Sequence, residues 1–338
     1  MTKYERDFFE KILKNMLTAP DFEKKQITFI STALLGECDL SFRNENIVVA
    51  NEEGTKEKIP LQLLVAIFLH GEATLTTKLI AKCSKNGVSL FLLDRSFRTY
   101  ASVCPYAEGN YLLRQRQYHL SEKENLEISK RIVSNKVRNQ IALLRSVGVE
   151  SLAEKSLLDR KREWYAKIAI AEDMATLRGI EGTVGRMYFS GYFGTVGWYR
   201  RVPRGKVDEN NILLDMGYSY LFHFIDSLLR LFGFDTYKGV YHQLFFQRKS
   251  LACDMMEPFR CVIDRALLKI HTLHRFDSGD FFVKNGMYQL SYKNGSKYSK
   301  VFLEEILKQK NEIYEFVRGY YYRVINVDEE SFKPFVIR

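Results

Sequence analysis

The chain has 338 residues, 46% hydrophobic and 27% charged, and its 51 Lys and Arg against 41 Asp and Glu give a net charge of +10. That composition excludes low-complexity classes, is long enough for two domains, and favours polyanionic partners, nucleic acid ahead of a membrane surface. Five scattered cysteines without a CxxC pair exclude a disulfide framework and a zinc ribbon, and the apolar run at 61–69 is far short of the roughly 20 residues that span a bilayer.

Residues 1–25 read as a short amphipathic helical extension, with Phe8, Phe9, Ile12, Leu13 and Met16 as its apolar stripe. The segment is charged throughout and lacks an apolar signal core, which places the protein in the cytoplasm as a soluble chain. From 26 to 104 the pattern changes to short β-like runs, ITFIST, CDLSFRN, NIVVANEEG and VSLFLLDRS, set between turn signals. IPLQLLVAIFLHG interrupts them as a mixed segment, and LTTKLIAKCSKNG as a helix.

Pro105 and Gly109 mark a linker over 105–110, after which helical periodicity dominates 111–338. Ile132, Val133, Val137, Ile141 and Leu144 form one stripe, with Lys130, Arg131, Lys136, Arg138 and Arg145 around it. Further helices are predicted over 163–192, 211–232, 250–273 and 300–323. Asn285-Gly286 between alternating apolar residues predicts a hairpin. The fold class is α+β with two domains: a β-rich N-terminal domain and a larger all-α C-terminal domain.

Chemistry concentrates in RGIEGTVGRMYF (178–189), YHQ (241–243) and SLACDMMEPFR (250–260). They supply Glu181, His242, Asp254 and Glu257, each in apolar sequence, where an ionised carboxylate is costly unless paired or bound to a cation. One imidazole with several hard oxygens suits Mn²⁺ or Mg²⁺ better than zinc. Asp254 and Glu257 lie three apart, on one face of a helix. Each residue also has a plainer reading: Glu181 as a surface glutamate, His242 as a core histidine, and the carboxylates in an ion-pair network with Arg260 and Arg248. Asp264 either extends that face or pairs with Arg265 or Lys269.

Gly179, Gly182 and Gly185 allow close approach of a helix or backbone, but no Lys-Ser/Thr follows, so no P-loop is present. No GxSxG, no HExxH and no Cys with a flanking base points to a covalent nucleophile. For DNA, GYFGTVGWYRRVPRGK sets Tyr192, Phe193, Trp198 and Tyr199 beside Arg200, Arg201, Arg204 and Lys206. Arg248, Lys249 and Arg260 are further candidates. The aromatics of YEFVRGYYYR read as packing.

The segments Gly179-Ile180-Glu181-Gly182 with Tyr188-Phe189, His242, and Ser250 through Arg260 resemble the CRISPR-associated adaptation integrase (Cas-one) family. Asn110 to Gln115 resembles the start of its linker helix, Lys130 to Gln140 its K-NQ helix, and Asn211-Ile212-Leu213-Leu214 with Gly217-Tyr218 its N-LL-GY segment. The resemblance implies a homodimer that, with a divalent metal and a small companion subunit, inserts short double-stranded DNA fragments into a CRISPR array. A 3′-hydroxyl attacks a phosphodiester at the repeat boundary, and nuclease activity accompanies it. By motif position Glu181, His242 and Glu257 are similar to the metal ligands and Asp254 to the supporting carboxylate. Tyr241 departs from a more usual leucine and Gly185 from a common alanine. Two other readings compete: a metal-dependent nuclease of another pathway such as repair, and a non-enzymatic nucleic-acid scaffold with structural carboxylates.

Overall fold

The computed structural model describes residues 25–32, 38–94, 99–103, 110–148, 157–198, 200–243, 245–326 and 332–338. The expected N-terminal helix falls almost wholly outside them, as does most of the linker. The chain divides into two compact units: residues 1–119 with 226–235 and 324–327, and residues 120–225 with 236–323 and 328–338.

The first unit holds two four-stranded sheets. β1 (Gln26–Ser31), β5 (Leu64–His70), β7 (Ser89–Leu93) and β8 (Thr99–Val103) lie in that order, the first three parallel and the last pair antiparallel. The second sheet runs β4 (Gly54–Pro60), β3 (Asn46–Asn51), β2 (Cys38–Arg43), β6 (Ala73–Leu75). β2 alternates buried and more exposed positions, the mark of a sheet with one wet face. Its inward Leu40 joins Ile47, Val49, Leu61, Ile67, Leu79 and Leu90 in one core. α1 (Thr77–Lys85) is capped by Thr76, whose hydroxyl accepts from the Leu79 N–H at 3.3 Å.

The mixed segment 59–71 is a short 3₁₀ turn followed by β5, buried along its whole length. A central parallel strand shows no alternation, so its apolar run carries no period to read.

The second unit is mainly helical. α2 (Tyr111–Tyr118) belongs to the first unit; α3 (Glu122–Ser146) opens the second with a full capping box between Ser121 and Glu124. Asn135 and Asn139 clamp the extended C-terminal segment: Asn135 donates to the Phe335 carbonyl at 2.6 Å, and Asn139 accepts from the Ile337 N–H at 3.2 Å. Asn139 also donates to the Pro258 carbonyl at 2.9 Å. Asn139 of the K-NQ segment therefore ties the turn that carries Glu257 to α3 and the C-terminal segment.

The predicted helix 163–192 is two helices, α4 (Lys161–Ala169) and α5 (Met174–Tyr192), the second capped by Asp173. α6 (Glu209–Phe232) follows. The predicted helix 250–273 is α7 (Ser250–Met256), a 3₁₀ turn at Glu257–Phe259, and α8 (Arg260–Thr272). Pro258 lacks the N–H that would continue the α-helical ladder, so the chain steps through the tighter turn.

The hairpin forms as predicted, β9 (Phe281–Lys284) against β10 (Met287–Leu290), with Asn285 and Gly286 both at positive φ. The unit is therefore not purely α-helical. The last helical stretch is α9 (Tyr292–Lys308) and α10 (Lys310–Ile325) rather than one helix over 300–323.

Candidate active site

Glu181 lies on α5 four residues after buried Leu177, three before Val184 and seven before Tyr188, so its side chain is carried on the packed face. On α3, Lys136 follows buried Ile132 and Val133 by four and three residues and likewise points inward. Its ammonium donates to Glu181 and reaches Glu257 at 2.6 Å. Glu257, only 3% exposed, is in addition ion-paired with Arg260, whose Nε lies 2.9 Å away. The Arg260 guanidinium also lies over the Tyr218 ring, 4.6 Å from its centroid.

His242 sits in the turn-rich segment between α6 and α7, and Asp254 of α7 holds that segment. Asp254 Oδ2 accepts from the N–H groups of Val240 (2.7 Å) and Tyr241 (3.0 Å). Its Oδ1 accepts from the His242 N–H at 2.9 Å and lies 2.6 Å from His242 Nδ1. With Nδ1 on the Asp254 carboxylate, the ring turns Nε2 toward Glu257 Oε1, 4.0 Å away. Gly239 makes this loop possible: a Cβ there would meet Asp254 Oδ2 at 2.7 Å and the Ser250 backbone carbon at 2.9 Å.

Tyr241 completes the cluster. Its hydroxyl donates to Glu181 Oε2 at 2.9 Å, and its carbonyl accepts from Arg178 at 3.1 Å. Burial and then the Glu181 charge push the phenol above its ordinary range. For Glu257, burial alone would raise the carboxyl, but the charges of Arg260 and then Lys136 outweigh it and hold it well below the usual carboxylate range. Lys136 is held charged by the opposite balance: burial disfavours the ammonium, and Glu257 and Glu181 together prevail.

The structure thus brings Glu181, His242, Asp254 and Glu257 to one place. Glu181, Glu257 and the His242 Nε2 supply two carboxylates and an imidazole nitrogen, a donor set that fits a hard divalent ion. The carboxylate pair already holds a cation, the Lys136 ammonium. Among the described residues no three such groups are preassembled at coordinating distance. Lys136 escaped the sequence reading, which counted it among the charges around the stripe. Its three- and four-residue spacing from Val133 and Ile132 was the signal that it belongs on the stripe.

Asp264 does not join the cluster, nor does it pair with Arg265 or Lys269. It is buried between the hydroxyls of Tyr188 (2.9 Å) and Tyr218. Burial raises it to about 6 against the opposing effect of those two donors. Arg265 and Lys269 turn to Glu305 instead.

The basic candidates divide. Arg200, Arg204, Lys206 and Arg248 are exposed and Lys249 is half-buried. Arg201 is engaged internally, donating to Asn211 Oδ1 at 2.8 Å and to Asp215. Arg260 belongs to the carboxylate cluster. The expected base-stacking aromatics Tyr192, Phe193 and Trp198 are buried, and Phe193 packs edge-on against both of the others at 4.9 and 5.1 Å. Tyr199 lies outside the described residues. At Gly179, Gly182 and Gly185 an added Cβ would meet nothing within 4 Å, so no described segment uses the close approach they permit.

A family model described as CRISPR associated protein Cas1 matches residues 35–304. A CRISPR-associated endonuclease Cas1 (Cas1 2) from Rhodospirillum rubrum is 33% identical over 256 residues, covering 70% of this chain and 74% of its own. Among solved structures, a chain of a partial Cas6-RT-Cas1–Cas2 complex gives a TM-score of 0.71 at 21% identity, covering 92% of this chain and 98% of that one. A casposase bound to integration product gives 0.70 at 19% identity, covering 91% and 94%. At these identities the two structures share the fold. The chain belongs to the CRISPR-associated Cas1 family.

Proposed function

We propose that the protein is a metal-dependent DNA integrase with endonuclease capability, which inserts short DNA fragments into a CRISPR array. The observation that supports this reading is the Lys136 ammonium lying against both Glu181 and Glu257, with His242 Nε2 4.0 Å from the other oxygen of Glu257. Glu181, Glu257 and His242 would hold Mn²⁺ or Mg²⁺, which supplies a lowered pKa for an attacking hydroxyl and a counter-charge for the leaving oxygen.

The chain's own groups do the rest. Asp254 locks the imidazole with Nδ1 inward and Nε2 toward the reacting centre. Tyr241 orients Glu181, and Arg260 holds Glu257 ionised. Lys136 and Arg260 offset negative charge as a phosphodiester enters. A 3′-hydroxyl then attacks phosphorus, the P–O bond to the neighbouring nucleotide breaks, and that nucleotide leaves as a new 3′-hydroxyl. Bond count and phosphate charge are conserved, so no external energy source is required. Water in place of the 3′-hydroxyl gives cutting.

Arg200, Arg204, Lys206, Arg248 and Lys249 would track the phosphate backbone of double-stranded DNA. The similar structures, a Cas1–Cas2 complex and a casposase bound to integration product, support a companion subunit and a joined DNA product for this chain too. In this reading 111–338 is the catalytic region and 26–104 the dimer or partner interface, acting in the cytoplasm. No described helix is long and apolar enough to cross a membrane.

His242→Ala tests the assignment. With short duplex fragments, Mn²⁺ or Mg²⁺ and the companion subunit, the variant should lose turnover while binding DNA as wild type does. Wild-type turnover by the variant would remove His242 from the site. Binding should weaken steeply with salt as counterions are released.

A further inference from the structure

We infer that Phe245 and Phe246 form a stacking platform for the bases of an unpaired DNA strand beside the His242 turn. This rests on the function proposed above and names how one end of the substrate would be held.

The two rings are 75% and 84% exposed, although the second unit has a large aromatic core available to it. Their outward placement is fixed by the local backbone. The Arg248 N–H donates to the Phe245 carbonyl at 3.0 Å, and Gln247 takes positive φ. The Ser250 N–H donates to the Arg248 carbonyl at 2.9 Å, and its hydroxyl to the Gln243 carbonyl at 3.2 Å. Asp254 holds residues 240–242 on the upstream side. The loop is therefore tied at both ends to the elements that carry His242, Asp254 and Glu257, with two phenyl rings turned to solvent between them.

Charge selects the partner. Residues 236–250 contain Lys238, Arg248 and Lys249 and no Asp or Glu. Aromatic rings flanked by cations suit a polyanion with planar faces, and stacking of that kind accepts any base. Bases inside a duplex are already stacked, so the ligand is a strand whose terminal bases are unpaired. A 3′-end entering a strand-transfer site is such a strand. The aromatics picked out by sequence, Tyr192, Phe193 and Trp198, are packed inside and cannot supply this surface.

The test uses the full chain, with its companion subunit where binding needs it. Three probes differ only at the end: a duplex with a short 3′ tail carrying 2-aminopurine, the same duplex blunt, and one with an abasic tail. Wild type should prefer the based tail over both others and quench 2-aminopurine on binding. F245A/F246A should lose about tenfold or more in affinity for the based tail, leave blunt-duplex affinity unchanged, and abolish quenching. F245W/F246W should restore both. Tail affinity and quenching unchanged in F245A/F246A would overturn the inference. So would an equal loss on all three probes, or loss of self-association or companion binding with tail preference intact, which would make the patch a protein interface. Metal-dependent joining by wild type, read in parallel, separates the two claims. Its absence counts against the proposed function, whereas joining with tail preference indifferent to the alanines sinks the platform alone.

Discussion

Replacing Lys136 with methionine keeps the long stem and deletes the ammonium between Glu181 and Glu257. Removing one partner of a buried ion pair costs about 3–5 kcal/mol. Glu257 retains Arg260 and Glu181 is 22% exposed, so the lower end applies, about 3 kcal/mol in the absence of divalent ions. The same change alters the local charge. Deleting the ammonium makes the charge around Glu181 and Glu257 more negative by one unit. A unit charge about 4 Å away at an effective dielectric of about 20 is worth about 4 kcal/mol, and a third of that after relaxation is tenfold in affinity. Urea unfolding in EDTA, followed by Mn²⁺ titration read by electron paramagnetic resonance, measures both effects. K136M should be about 3 kcal/mol less stable without metal, bind Mn²⁺ about tenfold tighter than wild type, and recover stability as Mn²⁺ is added. Unchanged stability in EDTA together with weaker Mn²⁺ binding would refute the view that the ammonium occupies a cation position.

Tyr241→Phe removes the hydroxyl that holds Glu181 Oε2 and leaves the ring packing; it should cost about 1 kcal/mol and weaken Mn²⁺ binding several-fold, and unaltered affinity would show that the hydrogen bond positions nothing. Asp264 gives a pH signature. Its folded value of about 6 lies above the unfolded carboxylate value, so the ionised form is penalised in the fold and the penalty is relieved as pH falls. The shift of about two units sets a ceiling of about 3 kcal/mol. Between about pH 7 and pH 5, wild type should therefore gain stability relative to D264N, and a relative loss would contradict the burial argument. That window avoids Glu257, whose depressed value makes its stabilisation fade only below the unfolded carboxylate range.

Much of this was legible from residues because the chemistry is expensive. Glu181, His242, Asp254 and Glu257 stood out as charges in apolar segments, and the fold assembles them where burial is tolerated only by mutual pairing. Asn285-Gly286 announced its hairpin because the turn demands two positive φ angles in sequence. Lys136 was missed since its partners come from α5 and the 257–259 turn, distant in the chain, and a lysine on a basic helix looks solvated until they are known. The basic–aromatic run at 191–206 misled for the converse reason. Composition does not say which way a ring faces, and Tyr192, Phe193 and Trp198 gain more from packing on one another than from waiting for bases. Exposed Phe245 and Phe246 carried no periodic signal and were visible only in three dimensions. β5 lacked alternation because both of its faces are covered.

The most direct test of the central claim is a strand-transfer assay with Glu181→Ala beside wild type. Each would receive a duplex with free 3′-hydroxyls, a supercoiled plasmid carrying a CRISPR array, Mn²⁺ or Mg²⁺, and the companion subunit. Wild type should give metal-dependent joined product and the variant none, with DNA binding retained by both. Joining that persists in Glu181→Ala, or that proceeds equally in EDTA, would contradict that claim.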